Sequence, residues 1–307
     1  TPMAPKVSML MPTYNQVGFV EAALDSVFAQ TYDNIELLVF DDASSDGTWD
    51  VVQACCAAHT GPQTVVLHRQ PKNLGPHDNG VAAANAATGE LLMLAYGDDV
   101  SHPERVAKVV AAWQASGASL VAHNALTGAD PEDPDKQMVG EGVSGVVSLV
   151  ELSGVCWDER MLGATFAWTR NLWDVFGRFD PALVPRGGDH LLPFRAALLT
   201  GFCYVHEPLL FWRRHPGQVT ASISDFEGHP LAMGETNTAY NMNTLLQRIR
   251  DVDFIVEREG SRPEWTQARR KTLEMVAGMS LTWSRYRALL RARGATLDWP
   301  ARQRGRA

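Results

Sequence analysis

Cysteine is scarce in this 307-residue chain: Cys55, Cys56, Cys156 and Cys203 are the full set. Two are adjacent and none forms a CxxC pair, which suits neither a zinc site nor a disulfide scaffold. A reduced, cytoplasmic protein is expected. There is no run of 18 apolar residues, so no transmembrane helix is expected. The opening Thr1-Pro2-Met3-Ala4-Pro5-Lys6 lacks the apolar stretch of a signal peptide. Basic residues are in deficit, with 27 Lys+Arg against 35 Asp+Glu and a net charge of −8. The deficit is uneven: Arg262 to Ala307 carries 11 Lys/Arg and 3 Asp/Glu, a balance of +8, and the remainder carries −16. An acidic body argues against nucleic acid as the main partner. A basic tail is the kind of segment that meets an anionic surface. The hydrophobic share of 45% and charged share of 20% are those of a soluble globular chain, not a disordered or collagen-like one. The length suits one large domain or two small ones.

Strand and helix signals alternate over the first 125 residues. Strands are expected at 7–11, stopped by Pro12, and at 35–40, 64–68, 91–95 and 120–122. Helices are expected at 19–30, 48–59, 78–87 and 103–116. Repeated β-α units of this length predict a parallel sheet covered by helices, with ligands at the carboxyl ends of the strands. The polar clusters Asp41 to Gly47 and Gly97-Asp98-Asp99 fall at those ends. The middle is less regular, with a short helix near 148–158, strands at 165–168, 202–205 and 209–212, and helices at 171–176 and 188–199. Two long helices follow from about Pro230. Met242, Leu245, Leu246, Ile249, Val252 and Val256 keep helical spacing in the first, and Val276, Met279, Trp283, Tyr286 and Leu290 in the second.

Four segments in this order carry a resemblance: Met11-Pro12-Thr13-Tyr14-Asn15; Asp41-Asp42-Ala43-Ser44-Ser45-Asp46-Gly47-Thr48; Asn73-Leu74-Gly75 through Thr88-Gly89-Glu90 to Gly97-Asp98-Asp99; and Gly187-Gly188-Asp189-His190 with Arg195 six residues after the Asp. Together they resemble the inverting family 2 glycosyltransferases. The resemblance spans roughly 7–220. It implies a GT-A fold: an α/β, Rossmann-like, mostly parallel sheet flanked by helices, here with a C-terminal helical extension. It divides the chain into a nucleotide-sugar-binding half (5–125), an acceptor and catalytic half of the same domain (126–225) and a C-terminal helical region (226–307).

The resemblance also implies residue roles. Asp42, with Asp41 as second choice, would accept a hydrogen bond from the donor's nucleobase, as a carboxylate can from a pyrimidine N–H. Pro12 and Tyr14 would line the base pocket, and the loop of Asn73 and Gly75 would lie near the nucleotide. Read by themselves, the acidic turn is also a good helix cap, Asn73 to Gly75 a plain turn, and Tyr14 a packing residue. The family's Asp-x-Asp triad holds a divalent cation, Mn²⁺ or Mg²⁺, on the diphosphate. Here its first position is Tyr96, so Asp98 is the expected metal ligand, with Asp99 in support and His215 of Trp212-Arg213-Arg214-His215 as a further candidate. Asp189 falls at the general base, which takes the acceptor hydroxyl's proton; it is equally a helix cap after two glycines. His190 is a lesser alternative base.

The expected reaction is transfer from a nucleotide diphosphate sugar, UDP- first and dTDP- next, to a hydroxyl of a glycan or lipid-linked glycan in bacterial surface polysaccharide synthesis. A sugar nucleotidyltransferase would want a Gly-rich basic loop after the first strand, which Pro12 to Asn15 does not supply. A non-catalytic interaction module would not explain acidic clusters at three strand or helix ends. The basic C-terminus suggests peripheral contact with the inner face of the plasma membrane, and its heptad-like stripe a helix pair or a homodimer.

Overall fold

The computed structural model describes residues 4–133, 136–156, 158–184, 188–218 and 230–292. Its centre is one ten-stranded sheet. Strands β1 (Val7–Thr13), β2 (Ile35–Asp41), β3 (Thr64–Arg69) and β4 (Leu91–Leu94) form a parallel block in the order β3-β2-β1-β4. The order reverses between β1 and β4, which opens a crevice at their carboxyl ends. Helices α1 (Val20–Phe28), α2 (Thr48–Ala58) and α3 (Pro76–Ala86) connect these strands.

Alternation along the strands sends successive side chains to opposite faces. Val7, Met9, Met11, Ile35, Leu37 and Val39 enter a core with α1, α2 and α4 (Arg105–Ser116). Leu10, Leu38 and Phe40 enter the opposite core. That core also takes residues of α3, α5 (Leu149–Ser153), α6 (Arg170–Phe176), α7 (Leu192–Leu199), α8 (Pro230–Glu259) and α9 (Pro263–Ala292).

Beyond β4 the sheet is mixed, so its parallel character is confined to particular pairs. Between β4 and β6 (Leu120–Gly128), β9 (Ala167–Thr169) is inserted antiparallel to both. Next to β6 lies the parallel β10 (Phe202–Arg213), and β5 (Val100–Ser101) closes the edge antiparallel. Two short strands, β7 (Gln137–Met138) and β8 (Gly145–Val147), pair with β6 and β10.

Three expectations shift. Pro12 does not stop the first strand, which continues paired with β2 to Thr13. The Leu10 carbonyl faces β4, accepting from Ala95 N–H; Pro12, two residues on, faces the same side where β4 has ended, so its missing N–H leaves no bond unmade. The strands expected at 202–205 and 209–212 are one strand, with Pro208 absorbed by register shifts on either side of it. Helix α7 begins at Leu192, four residues late, with Pro193 in its first turn.

The C-terminal helices form a hairpin. Val276, Met279, Trp283, Tyr286 and Leu290 are all at least partly buried, as the spacing predicts. Leu246 departs from its stripe and is 36% exposed. Two buried clasps bind α8 to the domain. Arg195 of α7 makes a bidentate pair with Asp251, at 2.7 and 2.9 Å. Arg248, 0% exposed, donates to the carbonyls of Leu152, Val155 and His190. Among the described residues, no helix is long and apolar enough to cross a membrane.

Candidate active site

The crevice starts from two loops that hold one another. Asn15 N–H donates to Ser44 Oγ (2.9 Å), and Ser45 N–H to Asn15 Oδ1 (2.9 Å). Gln16 N–H donates to Thr48 Oγ1 and Val17 N–H to Asp46 Oδ2. Asn15 and Ala43 take left-handed backbone conformations (φ 50° and 61°) to make these turns.

The two adjacent carboxylates divide the work. Asp41 is fully buried. Its Oδ1 accepts from Ser44 Oγ (2.5 Å) and Thr13 Oγ1 (3.3 Å), its Oδ2 from Ser44 N–H (3.0 Å), and Arg69 Nε stands 3.5 Å away. That is a bracket for the loop. Asp42 reaches across to the next loop, accepting Leu74 N–H on Oδ1 (2.7 Å) and Gly75 N–H on Oδ2 (2.9 Å). Burial pushes its carboxyl above the usual range; the two N–H donors oppose this, and the charges of Asp41 and Asp78 add to it. Gly75 has φ +85°, open to glycine at little cost, and Asn73 Oδ1 also accepts from its N–H. Asp42, Asn73 and Gly75 thus form one unit, with Pro12 buried and Tyr14 48% exposed at the neighbouring end of β1.

The turn after β4 lies against the first loop. A Cβ on Gly97 would collide with Gln16 Oε1 and Thr13 Cγ2. Asp98 Oδ2 stands 3.0 Å from His215 Nε2, both side chains about 15% exposed, and the His215 ring lies 4.6 Å from Phe19. Arg213 ties down what lies between. Its N–H donates to Asp99 Oδ1 and its Nε to the Asp98 carbonyl, both at 3.0 Å, with the guanidinium 4.9 Å over Phe19. Asp99 is 5% exposed. Burial and then the charge of Asp98 raise its carboxyl well above the ordinary value, against the pull of Arg105 and Arg213.

Asp189 comes from the turn before α7 and is met by the short 3₁₀ turn Gly163–Thr165. Gly163 N–H donates to Asp189 Oδ2 at 3.1 Å. A Cβ on Gly163 would overlap this carboxylate, so only glycine lets the backbone approach it. Burial pushes the Asp189 carboxyl up to about 6, with the Gly163 N–H holding it down. Tyr96 joins the two sides: after burial, the charges of Asp189, Asp99 and Asp98 raise its phenol. The phenol at the first position of the triad therefore feels the charge of all three carboxylates. His190 is separate from this cluster: burial and the Arg248 charge push its imidazole down to about 4, and its ring packs edge-on to Tyr240.

Three supports escaped sequence reading. Gly163 carries no motif. Phe19 looks like an ordinary helix-start apolar residue. Arg105 is 0% exposed and donates to His123 Nε2 (2.9 Å), Ser101 Oγ (3.1 Å) and the Ala164 carbonyl (2.9 Å). It so fixes the turn that binds Asp189. Its one sequence signal is a position just inside a helix start, where a cation opposes the helix dipole.

The donor set accommodates a divalent cation in part. Cis ligands about 2.1 Å from an octahedral cation lie about 3 Å apart, and Asp98 Oδ2 and His215 Nε2 have that separation. Asp99 gives one oxygen to the Arg213 N–H. No group of three His, Cys, Asp or Glu is placed to hold a metal among the described residues. The fitting ligands are therefore two, leaving the remaining positions to phosphate and water.

A β3-β2-β1-β4 block whose crevice meets the carboxylates of the turn after β4 and of the α7 turn, with Arg213 of β10 and His215 beyond it, has the GT-A fold. Residues 8–151, just under half of the chain, match the model of Glycosyl transferase family 2. An uncharacterized glycosyltransferase of Nostoc is 25% identical over 300 residues, 94% of this chain and 92% of its own. The abequosyltransferase RfbV of Salmonella typhimurium is 23% identical over 82% of this chain and 80% of its own. Among solved structures, S. aureus TarS with UDP-GlcNAc superposes with a TM-score of 0.57 at 16% identity, covering 91% of this chain and 92% of that one. The mannosyltransferase PcManGT of Pyrobaculum calidifontis, with GDP-Man and Mn²⁺, superposes with a TM-score of 0.59 at 17% identity, covering 98% and 79%.

Proposed function

We propose that the chain transfers a sugar, with inversion, from a nucleotide diphosphate sugar to a hydroxyl of a glycan or lipid-linked glycan in surface polysaccharide synthesis. A UDP-sugar is the first donor and a dTDP-sugar the next. The observation that carries the reading is the Asp98–His215 pair, 3.0 Å apart beyond the carboxyl end of β4, with the Asp189 carboxylate held by Gly163 N–H on the 3₁₀ turn that Arg105 fixes. The TarS structure with UDP-GlcNAc and the PcManGT structure with GDP-Man support a nucleotide-sugar partner.

In this reading the base lies against Asp42 and Tyr14, with the Asn73 to Gly75 loop held under it. The Asp42 carboxylate retains lone pairs beyond its two N–H bonds, and one of them accepts the pyrimidine N–H. The diphosphate lies toward Asp98 and His215. A bound Mn²⁺ or Mg²⁺ would be held by these two side chains and would offset charge on the leaving diphosphate. Arg213 keeps that pair in place through the Asp98 carbonyl and the Asp99 carboxylate. Asp189 takes the proton from the acceptor hydroxyl as its oxygen bonds to the anomeric carbon and the bond to the diphosphate oxygen breaks. A carboxyl near 6 is ionised at pH 7 and still basic enough to accept that proton.

A peripheral seat on anionic membrane is supported by exposed Arg285, Arg287 and Arg291 on α9. The apolar stripe of that helix faces inward, so such contact rests on charge. The central test measures UDP, dTDP or GDP release from a panel of sugar nucleotides with oligosaccharide acceptors, and the anomeric configuration of product by NMR. UDP release with an inverted linkage is expected; retention, or no release from any donor, ends the reading.

A further inference from the structure

A second concavity, about 480 Å³, lies between α6, α7 and α8, within the range of small-ligand sites. Its floor is the buried Arg195–Asp251 pair, with Gln247 Nε2 donating to Asp251 Oδ1 at 2.9 Å. Phe176 and Phe179 flank the Arg195 guanidinium, with ring centroids 5.1 and 4.5 Å from its centre. At the rim, Phe254 is 42% exposed and its ring lies 5.8 Å from that of Phe176. Arg250 pairs with Asp180 at 2.6 Å and Arg178 with Asp78 at 3.2 Å.

The charges decide the ligand class. Each of the three arginines lining the groove already has a carboxylate partner, so the groove offers no surplus positive field for a phosphate or nucleotide. What remains is a set of planar guanidinium, carboxylate and amide groups beside an exposed ring. Such groups hydrogen-bond hydroxyls in pairs, and an aromatic face packs against the C–H face of a pyranose. A neutral sugar satisfies both.

The groove also backs onto the site already described. Phe179 lines the groove, and the same ring packs so closely on Gly188 that a Cβ there would overlap it. Gly188 precedes Asp189. The lining residues run from Val175 to Phe254, entirely outside the 8–151 segment that matches the family.

We propose that this groove is a subsite for a neutral sugar unit of the acceptor chain, held beside the Asp189 turn at a distance from the bond being formed. The assignment of that sugar to an acceptor rests on the transfer reading above; the saccharide site itself does not. The test is saturation-transfer NMR on the full chain with maltohexaose, cellohexaose, mannohexaose and chitohexaose, alongside UDP titration. At least one hexasaccharide should bind, and Phe254→Ala and Arg250→Ala should each weaken it at least tenfold with UDP affinity unchanged. Both positions are exposed, so folding is not at stake. Absence of binding across the panel, or full binding by both variants, overturns the subsite. If the variants lose saccharide while no sugar nucleotide is turned over, the subsite stands and the transfer reading falls. If donors are turned over and both variants bind the saccharide as wild type, only the subsite falls.

Discussion

The end of the crevice built by the loops after β1 and β2 differs from the end toward Asp189, the proposed acceptor side, in how far the chain must travel to build it. In the crevice, the loops after β1 and β2 are joined by bonds between residues 29 to 32 apart, and Asp42 reaches 32 and 33 residues ahead. One β-α repeat separates every partner. At the end toward Asp189, Asp98 meets His215 across 117 residues and Asp99 meets Arg213 across 114. Arg248 reaches back 96 residues to Leu152. The first region is a local product of the parallel block. The second exists only after β10 and α8 have docked. In the proposed reaction, binding of the nucleobase therefore rests on the first support, and binding of the diphosphate and removal of the acceptor proton on the second, so the two can be broken separately.

The sharpest break is at Asp189. Asp189→Asn should lower kcat by roughly 10²–10⁴-fold, the usual span for a general base, while UDP affinity measured by calorimetry stays within twofold. Equal turnover would remove Asp189 from the mechanism. The same group sets the acid limb of the wild-type rate. Its carboxyl is raised to about 6, so kcat falls as pH drops through that value and the base protonates. Stability runs the other way: the proton held between the unfolded value and about 6 favours the fold at acid pH, and that contribution is lost as pH rises through 6.

The next effect falls on the frame. Asp251→Ala leaves Arg195 buried without its carboxylate, which costs about 3–5 kcal/mol. Chemical denaturation should show this as a lower midpoint. Loss of turnover before loss of UDP binding, as denaturant is added, would confirm that α8 supports the acceptor side more than the crevice; simultaneous loss would dissolve the comparison. The smallest effect is expected in the crevice itself. Tyr14→Ala removes an exposed ring beside the base and should weaken UDP by about 0.5–1.5 kcal/mol, with kcat unchanged at saturation. An unchanged UDP affinity would return Tyr14 to a packing role.

The difference in reach also explains what could be read from the sequence. The crevice was legible because each of its parts ends a periodic strand: Thr13, Asp41 and Leu94 close β1, β2 and β4 next to polar clusters. Asp189, Asp98 and His215 could be marked as candidates through a resemblance, but their mutual geometry could not. Nothing in Gly163 or Ala164 signals that one N–H would bind Asp189 while the adjacent carbonyl binds Arg105. Likewise β9 is three residues long, too short for periodicity to reveal that it enters antiparallel and turns a parallel sheet into a mixed one. Pro12 misled because the cost of a proline in a strand depends on whether a partner stands on its N–H side, which is a tertiary fact; Pro208 is accommodated differently, by register shifts in β10.

The two clasps on α8 carry a consequence for the order of events during synthesis. Arg248 holds the carbonyl of His190, next to Asp189, and Asp251 neutralises Arg195 in the helix that follows. A nascent chain that has completed β1 to β4 already contains both partners of every bond that joins the loops after β1, β2 and β3. It still lacks both partners for the Asp189 turn until residues near 250 have left the ribosome. In the proposed reaction, a growing polypeptide would thus acquire the residues that meet the nucleobase well before those that meet the diphosphate or activate an acceptor.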